Sequence, residues 1–64
     1  MKKILFVSDM NCDHCVSKIS AKLDETRLSY TVDLSKKAVI LDADDADSVY
    51  LAKSKIQEAG YTVD

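Results

Sequence analysis

Leu28-Ser29-Tyr30-Thr31-Val32-Asp33-Leu34-Ser35-Lys36-Lys37-Ala38-Val39-Ile40-Leu41 lies in the middle of the 64-residue chain and decides how the rest must fold. Leu28, Tyr30, Val32 and Leu34 alternate with Ser29, Thr31 and Asp33, the period of a strand with one buried face. Ala38 to Leu41 is too short for a helix and rich in β-branched residues, which suits a second strand. Ser35-Lys36-Lys37 leaves room only for a tight connection, so the two runs predict a hairpin. On its N-terminal side, Val16, Ile19 and Leu23 recur at helical spacing and predict a helix from Cys12 or Asp13 to about Asp24, with Asn11 able to cap it. Before that helix, Lys2 to Ser8 reads as a strand. On the other side, Val49, Ala52, Ile56 and Ala59 step by three and four from Asp47 to Ala59, and the sole glycine, Gly60, falls where that helix would end. Tyr61 to Asp64 is left as a short last strand.

The resulting order, β-α-β-β-α-β, predicts an α+β fold of the ferredoxin-like or split βαβ kind: a four-stranded antiparallel sheet with two helices on one face, in one domain spanning residues 1–64. The other face of the sheet meets solvent. Ile4 to Val7 and Val39 to Leu41 are apolar at every position, so at least one large side chain must lie on that open face. Asp42, Asp44, Asp45 and Asp47 gather before the second helix, where Asp45 or Asp47 can cap it and favour its positive end. The order and closing Glu of an EF-hand are absent, so a solvated helix start explains the cluster better than calcium does.

A chain this short buries only about 60% of its unfolded surface, which leaves little room for an internal active-site cavity. Nine basic and eleven acidic residues give a formal net charge of −2, with neither a basic stripe nor an aromatic platform for nucleic acid. No apolar stretch approaches the roughly 20 residues of a membrane span. Lys2-Lys3-Ile4 opens like a signal peptide, but Ser8 and Asp9 end the apolar run too soon for a secretory core. These features predict a cytoplasmic protein. In that reducing setting a close cysteine pair is a metal or redox site rather than a structural staple.

The pair in question is Cys12 and Cys15, within Val7-Ser8-Asp9-Met10-Asn11-Cys12-Asp13-His14-Cys15-Val16, at the turn from strand to helix. Residues three apart on a helix share a face, so the two sulfurs can converge on one metal ion or on each other. Free amides and the macrodipole at a helix start favour the thiolate, the form that binds metal. Asp9 and Asp13 act against that by raising the thiol pKa values a little, and offer hard oxygen ligands to Zn(II) or Cd(II). Two thiolates with few other donors suit a soft ion of low coordination number such as Cu(I). Structural zinc usually demands four protein ligands, and an iron–sulfur cluster cannot be closed with two cysteines. The bland alternative is that Cys12 joins Val16, Ile19 and Leu23 in an ordinary apolar stripe. A Cys-x-x-Cys at a helix start is also a thiol-disulfide redox motif, but thioredoxin-like folds are longer and place a cis-proline beside the disulfide, and this chain has no proline.

Met10-Asn11-Cys12-Asp13-His14-Cys15 matches the Met-x-Cys-x-x-Cys motif of heavy-metal-associated domains, and with its element order and Gly60-Tyr61 the chain resembles small bacterial copper chaperones and the metal-binding modules of copper-transporting P-type ATPases. The resemblance covers nearly the whole chain. It implies that Cys12 and Cys15 bind Cu(I), with Zn(II) or another soft heavy metal as the alternative cargo. It further implies that Met10 is a buried anchor of the loop rather than a ligand, a role that a gap-filling core methionine would share. His14 is expected to point outward, and Tyr61 is similar to the tyrosine that bacterial copper carriers place beside the metal loop. Asp9 departs from the glycine usual before the methionine, and Asn11 from the usual threonine or serine. The implied function is that of a metallochaperone, not an enzyme, which passes its ion by ligand exchange to a metal-binding domain of a copper ATPase or to a metal-responsive regulator. The expected state is a monomer, with sharing of metal between two copies through facing cysteine pairs as the alternative.

Overall fold

A computed structural model describes all of residues 1–64. Three strands and two helices alternate along the chain: β1 (Lys3–Phe6), α1 (Asp13–Asp24), β2 (Tyr30–Asp33), β3 (Ala38–Leu41) and α2 (Ala46–Glu58). The sheet order is β1-β3-β2, and both outer strands run antiparallel to β3. β1 and β2 are therefore parallel to each other with β3 inserted between them, and α1 makes the crossover. That is the split βαβ arrangement expected from the element order.

The register explains the two faces. Leu5, Val39 and Val32 are cross-strand partners, as are Lys3, Leu41 and Tyr30, so Leu5, Val39 and Leu41 point to one side and join Val7, Met10, Cys15, Ile19, Leu23, Ala52 and Ile56 in a single core. Ile4 and Phe6 point to the other side and remain 51% and 50% exposed, the large apolar side chains expected on the open face. Tyr30, although half-buried, reaches across to α1, where its hydroxyl contacts the Asp24 carboxylate at 2.6 Å and the Ser20 carbonyl at 3.1 Å.

The hairpin turn closes with Lys37 N–H donating to the Leu34 carbonyl at 3.1 Å. Lys37 adopts φ 52° to do so, a left-handed conformation that only glycine adopts without cost. Asp33 offsets part of that cost by accepting from Ser35 Oγ at 2.7 Å and Lys36 N–H at 3.3 Å. Gly60 stands at φ 97° just beyond α2. A Cβ there would meet nothing within 4 Å, so glycine is required by the backbone conformation and not by space.

Two local expectations are corrected. Tyr61–Asp64 does not form a fourth strand: it runs along the free edge of β1 but makes only one backbone bond to it, Asp64 N–H to the Phe6 carbonyl at 2.8 Å. A ladder needs repeated bonds on alternate residues, and the intervening Thr62 N–H turns instead to the Asp9 carboxylate. The layered α+β class is unaffected. Asn11 does not cap α1. Cys12 is the cap residue, with extended backbone and no side-chain capping bond. At α2, Asp45 is the cap and accepts from Ser48 N–H at 3.0 Å, with Asp47 in the first turn. Both helices are too short to cross a membrane.

Candidate metal centre

The loop between β1 and α1 is built from both ends. Met10 N–H donates to the Val7 carbonyl at 3.0 Å, closing a turn over Ser8 and Asp9. Met10 then enters the core, where it is 0% exposed and among the largest fully buried side chains. Burial removes its sulfur from the outer surface where a ligand would be needed. From that fixed point the chain emerges at Asn11 and Cys12 and enters α1 at Asp13.

Cys12 is exposed and Cys15, one helical turn on, is buried at 7% exposure. The expected alternative of Cys12 in an apolar stripe is thus overturned: the inward stripe of α1 is Cys15, Ile19 and Leu23. The two sulfurs lie 3.1 Å apart as free thiols, well beyond the roughly 2.05 Å of a disulfide. No group of three or more His, Cys, Asp or Glu side chains converges anywhere in the molecule. Asp9, considered above as a hard ligand, spends its carboxylate on Thr62 N–H at 3.3 and 3.4 Å. His14, between the exposed Cys12 and the buried Cys15, is itself exposed.

Tyr61 comes back from the far end of the chain to the buried sulfur. The Tyr61 hydroxyl is the largest of the influences that bring that thiol down from 9.0 to about 7, followed by Cys12 and the Asn11 backbone. The same pairing, seen from the other side, pushes the Tyr61 hydroxyl up to about 12, with burial and the neighbouring Cys15, Cys12 and Asp9 charges adding to it. The modest rise expected from Asp9 and Asp13 does not prevail at Cys15, because direct donors outweigh more distant solvated charges. Lys18 Nζ lies 5.9 Å from the centre of the Tyr61 ring, within cation–π range. Lys18 and Thr62 are the two site neighbours that sequence reasoning missed. Lys18 had a usable signal, three residues beyond Cys15 on the same helix. Thr62 had none, since its partner Asp9 lies 53 positions away.

These pKa directions give a checkable pH dependence. A thiol whose folded pKa lies below its unfolded value contributes stability that is fully present above 9.0 and is lost as pH falls through about 7. Ultraviolet titration of thiolate absorbance should show one cysteine ionising near neutrality. In Tyr61→Phe that midpoint should move up toward the ordinary thiol value, and an unmoved midpoint would remove Tyr61 from the account.

The site is a surface loop and not a pocket. The largest groove, of about 580 Å³, is lined by Lys2, Lys3, Asp44, Ala46, Val49, Tyr50 and Lys53, none of which belongs to the cysteine loop. A two-layer ferredoxin-like domain with an accessible dithiol at a strand-to-helix turn defines a class of small metal-binding modules. Comparison with known proteins makes this specific: the heavy-metal-associated domain profile matches residues 4–62, and the chain belongs to that family. Among solved structures it is similar to the CopZ metallochaperone at 31% identity, with a TM-score of 0.84 and all of both chains covered. It is also similar to apo-CopP from Helicobacter pylori at 32% identity and TM-score 0.82, again over all of both chains. A heavy-metal-binding protein from Thermotoga maritima matches at 32% identity and TM-score 0.81, over all of this chain and 92% of that one. No curated protein sequence matches significantly. The chain is accordingly a metal-binding domain of copper-chaperone-like type, suited to copper or another heavy metal.

Proposed function

We propose that the chain is a metallochaperone that holds Cu(I) between Cys12 and Cys15 and delivers it to a partner with a similar dithiol. The observation that carries this reading is the asymmetry of the pair: two free thiols 3.1 Å apart, one exposed and one buried, with no further metal-ligating group converging on them. Soft thiolates with no additional hard donors favour a soft, low-coordinate ion over one that needs four ligands. Metal–thiolate bonds are about 2.3 Å, so a nearly linear two-sulfur complex needs sulfurs about 4.6 Å apart. Loading therefore spreads the pair. Cys12 is free to move because it lies outside the core at the helix cap, whereas Cys15 is packed against it.

Transfer then follows from the same asymmetry. An incoming thiolate of the partner joins the ion, Cys12 leaves first because its sulfur is solvated, and Cys15 leaves second. Met10 keeps the loop from following the ion, and the Tyr61 hydroxyl stabilises the Cys15 thiolate when the ion has gone. The partner that fits is a metal-binding domain of a copper-transporting ATPase in the cytoplasm, where a surface complementary to an acidic protein would align the two dithiols. No bond of a substrate is made or broken.

Anaerobic titration of the reduced protein with Cu(I) and Zn(II), each against a chelator of known affinity, tests the proposal. Roughly one-to-one Cu(I) binding that outlasts a zinc excess is expected, and preference for Zn(II) would overturn it. In the same assay His14→Ala should leave Cu(I) affinity within about threefold, because an exposed side chain outside the ligand pair makes at most a weak contribution to the bound state. A large loss would make His14 a ligand.

A further inference from the structure

The largest groove in the molecule lies at the end of β1 away from the cysteine loop. Lys2 and Lys3, where β1 begins, form one wall, and Ala46, Val49, Tyr50 and Lys53 of α2 form the other. Those four helix positions follow the spacing i, i+3, i+4 and i+7, which sets them in one stripe. The stripe is distinct from the one that turns Ala52 and Ile56 into the core. Val49 is half-buried along it, and Tyr50 stands 74% exposed. An aromatic ring left in water beside an apolar floor is surface that a partner can still bury.

Charge says what kind of partner. Lys22 and Lys55 are paired with Glu25 and Glu58, but none of Lys2, Lys3 and Lys53 forms an ion pair. Three unpaired ammonium groups against one carboxylate, that of Asp44, make the groove positive in a chain of formal net charge −2. The start of α2 adds nothing to this, because the Asp45 carboxylate already accepts the Ser48 amide. At about 580 Å³ the groove is large enough for a small ligand, but such sites bury most of the ligand's surface. Here Lys2, Lys3, Asp44, Ala46 and Tyr50 are all exposed, a shape that suits a length of chain laid along the helix. Lysine attracts carboxylate and phosphate alike; the apolar stripe between the lysines favours a segment that also carries apolar side chains.

We propose that this groove docks an acidic segment of a partner protein, with carboxylates over Lys2, Lys3 and Lys53 and an apolar side chain between them on Val49 and Tyr50. The thirteen residues of α2 carry the chain about 20 Å from the groove toward Thr62, whose amide meets Asp9 at the cysteine loop. A partner held in the groove therefore leaves the dithiol uncovered. Asp9 and Asp13 flank the cysteine motif and repel the same acidic segment, so charge directs it to the far end of the molecule.

The probe is a short, fluorophore-labelled synthetic peptide that alternates glutamate with leucine, titrated into the reduced, metal-free protein at low salt beside a glutamine–leucine counterpart. The result does not depend on copper. The glutamate peptide should bind, shift the amide resonances of Lys2, Lys3, Tyr50 and Lys53, and weaken as salt is raised. The glutamine peptide should bind about tenfold more weakly. Lys3→Gln combined with Lys53→Gln should lose about tenfold in affinity and Tyr50→Ala several-fold, while Asp44→Asn, which removes the one opposing charge, should gain about twofold. All four side chains lie outside the core, so the variants should melt with the parent. Amide shifts confined to the cysteine loop or to Lys36 and Lys37, equal affinity for the glutamine peptide, or undiminished binding by the double lysine variant would each overturn the proposal. So would groove shifts caused by inorganic pyrophosphate or by vesicles of anionic phospholipid but not by the peptide, since the lysines would then be reading phosphate.

Discussion

Replacing either Cys12 or Cys15 with serine should abolish tight Cu(I) binding, with a loss well beyond the roughly 10–100-fold that removal of an outer-shell partner costs a metal site. A serine hydroxyl is a hard, protonated oxygen at neutral pH and cannot replace a soft thiolate. The chain has only two cysteines, so no other thiolate can take the place of the one removed. The two variants should differ in stability. Cys12 is solvent-exposed, so Cys12→Ser should unfold much like the parent. Cys15 packs among Ile19, Leu23 and the sheet, and its hydroxyl replacement would put a polar group in an apolar site at about 1–3 kcal/mol if unpaired. Affinity from chelator competition and stability from thermal unfolding check the two halves separately. Tight binding retained by either variant would refute the assigned pair.

Met10→Ala should be the most damaging single change in the loop. Only 11 of 64 residues are buried, and Met10 is one of the largest of them. Emptying that volume costs about 2–5 kcal/mol, whereas a domain of this length has a total stability of about 3–10 kcal/mol. A substantial fraction of the protein should therefore be unfolded at ambient temperature, and the cysteine loop should lose its fixed origin. Met10→Leu keeps the volume and removes the sulfur, so it should cost less than about 1.5 kcal/mol and leave Cu(I) binding intact. Parallel denaturation and metal competition on the two variants distinguish an anchor from a ligand. Loss of copper from a folded Met10→Leu protein would make the thioether a ligand after all.

The element order was legible because each piece carries a strong local signal: strict alternation from Leu28 to Leu34, three–four spacing in both helices, and Gly60 just past the end of α2. The last segment was misread for an instructive reason. Tyr61-Thr62-Val63 has the composition of a strand, and strand propensity describes how well side chains fit a pleated, half-buried surface. It says nothing about whether a backbone partner is in register. Here the carboxylate of Asp9 takes the amide that a ladder would have used. The cap of α1 was misassigned because Asn11 is the better cap by residue type, yet the geometry places Cys12 at the boundary and keeps the Asn11 side chain beside the Cys15 sulfur at 3.9 Å.

The amino-acid sequence by itself determined the α+β layering, the site's place between β1 and α1, and the soft character of its donors. These depend on residue type and on spacings of a few residues, which constrain local geometry directly. Only the tertiary structure decided which cysteine is buried, and that Tyr61 reaches it to draw its thiol down to about 7. It also decided that the Asp9 carboxylate accepts the Thr62 amide. The last two bring together groups 46 and 53 positions apart, whose meeting is set by the packing of two helices on a sheet and leaves no periodic trace along the chain.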